Sequence, residues 1–282
     1  FAYNYKGQKL FALPSNIEFN QFKNGLLLAR NTYGYYYINK KGEKAFETIF
    51  MAGDFKNERA PFQNAAGLIG FLDKTGNEVI PAKYAQFGNF SENGLAGVKD
   101  KESNLWGYIN RTGEVIIPFK YDEIGDFING YAMVSKNNKF GYVNSEGNEV
   151  LPIEYDELKE FSEGLFAVKQ DSLWGFINVK GKLKIPFQFQ NVAVFKEGLC
   201  WVVVDDKLTL IDTKGQVKHS TDYKSINNFR NGIAIVIDST GQYGAIDKNG
   251  NSVLPIQYDY LSQFSDDIIL IGNKAGWSKV QF

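Results

Sequence analysis

The chain has 282 residues, 44% of them hydrophobic and 22% charged, a balance that suits a folded globular protein and excludes a disordered one. Its 31 basic and 32 acidic residues leave a net charge of −1 with the two signs interspersed, which argues against nucleic acid and against an anionic membrane surface as partners. A single cysteine, Cys200, and a single histidine, His219, exclude an internal disulfide and a Cys/His zinc cluster.

Aromatic residues make up 15% of the chain, with 28 glycines and 7 prolines, a composition of strands joined by tight turns. The longest apolar run, Leu199 to Val204, reads as one strand and falls far short of the roughly 20 residues of a membrane span, so no membrane insertion is expected. The chain begins at Phe1 rather than Met, which reads as the removal of an upstream segment.

Along the chain one unit recurs. Gly7, Gly42, Gly76, Gly113, Gly147, Gly181, Gly215 and Gly250 follow one another at intervals of 34 to 37 residues. Most are preceded by an aliphatic residue and an Asn or Asp, as in Ile38-Asn39, Leu72-Asp73, Ile109-Asn110 and Ile246-Asp247. An Asn or Asp three residues before Gly fits a type I turn that ends on a left-handed Gly, the three-residue hairpin loop with a bulge. A second glycine follows in most copies (Gly25, Gly94, Gly130, Gly164, Gly198, Gly232), usually three residues after a Phe.

The stretch Phe140 to Val168 is the type copy. Strand c is Phe140 to Asn144, and its next occurrence is Trp174 to Asn178. Strand d is Glu149 to Pro152, strand a is Tyr155 to Phe161, and strand b is Leu165 to Val168. The Pro that ends strand d (Pro81, Pro118, Pro152, Pro186, Pro255) lacks an N–H, which places d at a sheet edge. In chain order, Phe1 to Asn4 reads as a spare piece of c, Gln8 to Leu13 as the first d and Glu18 to Phe22 as the first a. The copy around Ala45 to Arg59 is irregular: it lacks the Pro and Tyr, and Glu58 stands where Gly is expected. The copy around Gln216 to Asp222 also lacks the Pro. The chain ends with a at Tyr258 to Phe264, b at Ile268 to Ile271 and c at Trp277 to Gln281.

This pattern predicts an all-β fold of tandem four-stranded meanders of about 34 residues, in one domain spanning residues 1–282. The last unit has no d, whereas the N-terminus supplies a d with no a or b. Joining them closes an eight-bladed β-propeller-like ring and removes the exposed edges. An open β-solenoid or superhelix is the alternative.

The run Trp106-Gly107-Tyr108-Ile109-Asn110, followed by Gly113, Pro118, Tyr121-Asp122, Phe127, Gly130 and Ala132, resembles the WG (or KWG) repeat of bacterial proteins. Trp174-Gly175 repeats the signature; Phe140-Gly141 and Tyr243-Gly244 soften it. The resemblance covers essentially the whole chain. It implies a bacterial protein of the cell envelope, or one exported to the periplasm or surface, with an interaction role and no reaction.

The expected function is therefore a non-enzymatic binding or scaffold protein that presents a rigid repeat surface to a protein or glycan partner, acting as a monomer and needing no cofactor. Two alternatives stand: a carbohydrate-active enzyme with carboxylates near the ring axis, and a structural spacer within an envelope protein. No residue is assigned as catalytic, cofactor-binding or metal-ligating. The aromatic of each WG position reads as core, the Asp of the Tyr-Asp pairs as a turn cap, and Cys200 as a buried, inert thiol. Asp205-Asp206 and Asp266-Asp267 are too short to make a calcium loop. A partner is expected where the repeat breaks its own rule: at Phe50, Met51 and Arg59 in the irregular second copy, at Lys101 in the b–c loop Lys99 to Asn104, and at His219 in Lys218 to Asp222.

Overall fold

The computed structural model describes residues 2–3, 6–13, 17–19, 21–48, 51–263, 265, 268–273 and 276–281. These are all-β, arranged as tandem four-stranded antiparallel meanders in the order a-b-c-d. They fall into two compact units, Phe1–Asn138 with Tyr142–Glu149, and Lys139–Gly141 with Val150–Phe282.

In the first unit, Ala2–Tyr3 pairs with Lys9–Phe11, so the first d strand has the spare piece of c as its partner. Glu18–Phe19, Leu26–Asn31, Gly34–Asn39 and Lys44–Thr48 form one meander. Two further meanders share the strand Glu78–Phe87 and merge into a seven-stranded sheet running from Met51–Ala52 to Val115–Tyr121. The division between the units runs through the next copy, residues 123–155. The second unit continues with complete meanders at 157–189, 191–221 and 225–258, and then a three-stranded sheet of Tyr260–Gln263, Ile268–Asn273 and Gly276–Gln281.

The turns have the conformation their residues call for. At the c–d turn of residues 110–114, Asn110 Oδ1 accepts the N–H groups of Thr112 and Glu114 at 3.0 Å each, and Gly113 N donates to Asn110 O at 3.0 Å. Gly113 has φ +85°, which only glycine adopts without strain. Six of the described a–b turns are two-residue turns with both residues left-handed, such as Glu163-Gly164, whereas the turn of residues 91–95 is a three-residue loop with only Gly94 left-handed. The b–c hairpins use the same primed form at Asn137-Asn138, Asp171-Ser172 and Asp205-Asp206, the form that matches strand twist. The residue after the terminal aromatic of d ties this hairpin down. Asp122 Oδ2 accepts from Asn137 N at 2.6 Å, Asp156 Oδ2 from Asp171 N at 3.1 Å, and Gln190 Oε1 from Asp206 N at 2.9 Å. Ala85 follows Tyr84 at the corresponding place and offers no acceptor, and there d runs unbroken into a as Glu78–Phe87.

Strand d carries the feature that explains the WG signature. Its pairing with c slips at the Pro: Phe176 faces Ile185 and Trp174 faces Phe189, so two residues of c are matched by four of d. The same slip separates Tyr108↔Ile117 from Trp106↔Tyr121, and Ala245↔Leu254 from Tyr243↔Tyr258. Such a bulge bends the strand, and here its backbone crosses the glycine of the signature. A Cβ on Gly107 would lie 2.6 Å from Ile117 O and 2.8 Å from Phe119 Cδ1; one on Gly141 would lie 2.6 Å from Leu151 O. The two copies that lack the Pro also lack this glycine, and they pair without the slip. Tyr35↔Thr48, Tyr36↔Glu47 and Tyr37↔Phe46 run in step, as do Leu208↔Thr221, Thr209↔Ser220 and Leu210↔His219.

In the second unit the sheets of residues 191–221 and 225–258 each bury one face on the sheet before and the other on the sheet after, because successive strand residues point to opposite sides. In Leu199–Val204, Cys200 and Val202 join Trp174, Phe176 and Phe195, whereas Trp201 joins Leu210, Phe229 and Val236. Cys200 is the buried thiol expected: burial pushes it up to about 12. Tyr37 and Tyr108 are buried, and each hydroxyl donates at 2.6 Å to a backbone oxygen of the next copy, Gly53 O and Gly125 O.

The a–b turns are also linked one repeat apart. In the first unit Asn24 Nδ2 donates to Phe55 O at 3.1 Å and Asn57 Nδ2 to Phe90 O at 2.6 Å. In the second, Ser162 Oγ donates to Phe195 O at 2.6 Å, Glu163 Oε2 accepts from Gly198 N at 2.9 Å, and Glu197 accepts from Asn231 N at 2.5 Å and Gly232 N at 2.8 Å.

Carboxylates holding turns make stability depend on pH. Hydrogen bonds hold Asp73, Asp238 and Asp247 below the ordinary carboxylate range; the strongest come from the side chains of Thr75, Thr240 and Asn251. A depressed folded pKa means the contribution is complete above the unfolded value of about 3.9 and is lost as pH falls through the folded one. The melting temperature is therefore expected to be flat near neutrality and to fall below about pH 4. Asp247→Asn should leave melting at pH 7 close to wild type, since Asn110 and Asn178 accept the same turn N–H groups, and should flatten the acid arm. Equal losses at pH 7 and in acid would refute this account.

Candidate functional site

The irregular positions flagged in the sequence do not form one cluster. Phe50 lies outside the described residues. Met51 opens the short strand Met51–Ala52 and is 53% exposed. It lines an apolar recess of about 280 Å³ with Pro61, Phe62, Ile69 and Phe87. Ile69 stands where other copies place Trp106, Phe140, Trp174 or Tyr243, and the smaller side chain leaves the recess open.

Arg59 is tied to a neighbouring copy. Its Nε donates to Arg111 O at 3.0 Å, and Arg111 Nε donates back to Asn57 O at 3.2 Å, a reciprocal clasp between copies. The preceding Glu58 keeps the two-residue turn at φ +75°, a left-handed conformation that costs a non-glycine residue about 1–2 kcal/mol. Glu58→Gly should therefore raise stability by about 1 kcal/mol, measured by urea unfolding; a loss would mean that its exposed contact with Lys74 at 3.5 Å outweighs the strain.

Lys101 is exposed on a loop ordered from below: Asp100 Oδ2 accepts from Ser103 N and Ser103 Oγ at 2.8 Å each, which holds the Asp100 carboxyl below its usual range. Neither Arg59 nor Lys101 lines the recess at Met51. His219 is half-buried at the place in strand d that Ile117 and Ile185 fill in regular copies. As Ile117 packs on Gly147 and Ile185 on Gly215, His219 packs on Gly250: a Cβ there would lie 2.9 Å from Nδ1. Among the described residues no three His, Cys, Asp or Glu side chains gather as a metal site would need.

The WG-position aromatics divide. Trp174 is 4% exposed, Trp106, Phe140 and Tyr243 are half-buried, and Trp277 is 66% exposed. Trp174 faces Phe189 across strand d, whereas Trp277 belongs to a sheet of three described strands. Trp277 packs edge-on against Tyr260 at 5.3 Å, and Tyr260 lies 5.5 Å from Tyr243. Tyr260, 43% exposed, occupies the place of Glu123, Glu157, Asn191 and Ser225 in other copies. That substitution was visible in the sequence once the copies are aligned on the Phe of the a–b turn, yet it escapes notice because tyrosine is common throughout the chain.

The sequence model of the family described as "WG containing repeat" matches residues 69–102, 106–140, 140–174, 174–207, 209–237 and 243–277. No curated protein matches the chain. Among solved structures, the chain is similar to the computationally designed Ika8 protein, with 15% identity over 93% of this chain and 94% of that one and a TM-score of 0.42. BamB from Moraxella catarrhalis is similar at 9% identity over 94% and 96%, with a TM-score of 0.40. The WD40 β-propeller domain of Doa1 is similar at 16% identity over 79% and 88%, with a TM-score of 0.34.

Proposed function

We propose, from the premise that this chain belongs to the WG-repeat family, that it is a non-enzymatic binding or scaffold protein whose repeat surface receives a protein or glycan partner. The observation that carries this is how the recurring polar groups are used. The Asn or Asp before each turn glycine, the Asp or Gln after strand d, and the acids of the a–b turns hold backbone N–H groups. What rises above that scaffold is exposed apolar and aromatic surface, including Met51 and Phe87 in one unit and Tyr260 and Trp277 in the other. Exposed aromatics with partial burial are the usual anchors of recognition surfaces. An envelope or exported location, as the family resemblance implies, fits this role.

The test is retention of the purified chain on immobilised glycans and peptides, with reducing ends assayed in parallel. Saturable retention on one class without release of new reducing ends is expected. Turnover of a glycan, or no retention on either class, would sink the proposal.

A further inference from the structure

In the second unit a carboxylate and a cation meet between neighbouring copies. Glu197, in the a–b turn of one copy, pairs at 2.9 Å with Lys248, in the c–d turn of the next. The same carboxylate accepts from Gly232 N at 2.8 Å, and its hydrogen bond from Lys248 holds it below the usual range. In the first unit the corresponding turns carry Asn57 in the place of Glu197 and Arg111 in the place of Lys248. Arg59, in the place of Leu199, adds a second cation. An amide thus stands where the carboxylate was, and the positive charge is doubled.

We propose that Arg59 and Arg111 form a docking point for an acidic peptide segment of a partner protein, whose Glu or Asp side chain supplies the carboxylate that Glu197 supplies in the second unit. The inference rests on the binding role above and narrows it to a protein partner.

Three observations carry it. The first is position. The reciprocal clasp, Arg59 Nε on Arg111 O at 3.0 Å and Arg111 Nε on Asn57 O at 3.2 Å, brings both side chains to one place. Arg111 also lies along Gly94, where a Cβ would be 3.4 Å from its Nη1. Both arginines are half-buried, so binding has less side-chain freedom to remove.

The second is unused donors. A guanidinium is a planar fork of N–H groups that matches a carboxylate in pairs. Arg111 commits its Nε, and Arg59 its Nε and Nη1, the latter to Glu58 O at 3.1 Å. The third is charge. Among the described residues neither guanidinium forms an ion pair with a carboxylate. Glu58, the acid of this turn, reaches Lys74 at 3.5 Å, and Asn57 turns its Nδ2 to Phe90 O at 2.6 Å. Partly buried charges are screened less than solvated ones, so these two attract an anion more strongly than surface lysines do. The group seated between such turns in the second unit is a glutamate carboxylate on a flexible stem. A peptide presents that same group, whereas a sugar acid carries it directly on a bulky ring.

The experiment is fluorescence anisotropy of labelled hexaglutamate titrated with the full chain at low salt, with hexaglutamine as the uncharged counterpart. Hexaglutamate is expected to bind, and hexaglutamine to bind more weakly by about tenfold or more. Arg111→Gln removes one cation and should weaken hexaglutamate binding about tenfold. Asn57→Glu installs the carboxylate of Glu197 beside Arg111. It should weaken binding by a similar factor and keep the melting temperature at or above that of wild type. Gln188→Glu makes the same change of charge at an exposed position of the second unit and should leave binding unchanged.

No binding of hexaglutamate, equal binding of hexaglutamine, unchanged binding in Arg111→Gln or Asn57→Glu, an equal loss in Gln188→Glu, or tighter binding of an oligogalacturonide of the same charge would each overturn the acidic-peptide site. Should a turn variant fail to fold, Arg59→Leu, which installs the residue of Leu199, decides in its place, and unchanged binding there overturns the site. Any of these outcomes with retention of the chain on other immobilised peptides or glycans leaves the broader binding role standing. Loss of all retention removes both.

Discussion

Replacing Trp174 with alanine is expected to cost about 3–5 kcal/mol, the range for removing a buried tryptophan. The indole is 4% exposed, faces Phe189 across the sheet, and packs in one cluster with Phe176, Val192 and Phe195. Lys159 and Lys169 place their Nζ atoms 5.2 and 5.9 Å from its ring centre, adding cation–π attraction. The comparison that makes the result specific is Trp277→Ala, at the same repeat position but 66% exposed. That change should stay within about 0.5 kcal/mol of wild type. Urea unfolding of the two variants measures the difference, and similar losses at both positions would show that burial does not set the role of this residue.

Replacing Gly107 with alanine should cost about 2–3 kcal/mol, the upper part of the range for overpacking. Its backbone is not left-handed, so space alone requires glycine. The new Cβ would press on the Ile117 carbonyl and on the backbone and ring of Phe119, and backbone in the middle of a sheet gives way less readily than a side-chain tip. Thr209 supplies the internal control. It fills the same place in a copy without the strand slip, and its hydroxyl lies 3.1 Å from Ser220 Oγ. A Gly107→Ala protein that unfolds at the wild-type urea midpoint would mean that the bulge moves aside without cost.

The repeat and its turns were legible in the sequence because they rest on local chemistry. An Asn and a left-handed Gly three residues apart encode a turn whatever surrounds them, and Gly113 and Gly147 behave as that rule requires. The proline at a sheet edge was legible for the same reason. Even Pro81, in a strand paired on both sides, lies where the register joins only Ile69–Leu72, since pairing with Leu95–Asp100 begins at Tyr84.

What the sequence hid depends on contacts made across the sheet. The reason for the glycine of the WG signature is a bulge in the following strand, invisible without the register. Arg59 was expected at a partner site because the copy around Ala45 to Arg59 departs from the repeat, and its clasp on Arg111 could not be read from that departure. His219 was expected at a partner site in the irregular stretch Lys218 to Asp222, and its packing on Gly250 in the place that isoleucine fills elsewhere was not legible from that stretch. Trp174 and Trp277 fall at the same place in the repeat, yet Trp174 faces Phe189 and is buried while Trp277 is exposed, a difference that depends on contacts across the sheet.

The slip between strands c and d also sets where this molecule can be cut and rejoined. Copies with the slip and copies without it are two formats of one module, each internally matched: glycine with proline in one, a bulkier residue with no proline in the other. A c strand from one format joined to a d strand from the other would carry either a clash or a gap. Crossover points for module exchange therefore belong in the two-residue a–b turns, a geometry found in copies of both formats, and not inside the c–d hairpin, although its glycine is the most conspicuous mark of the repeat.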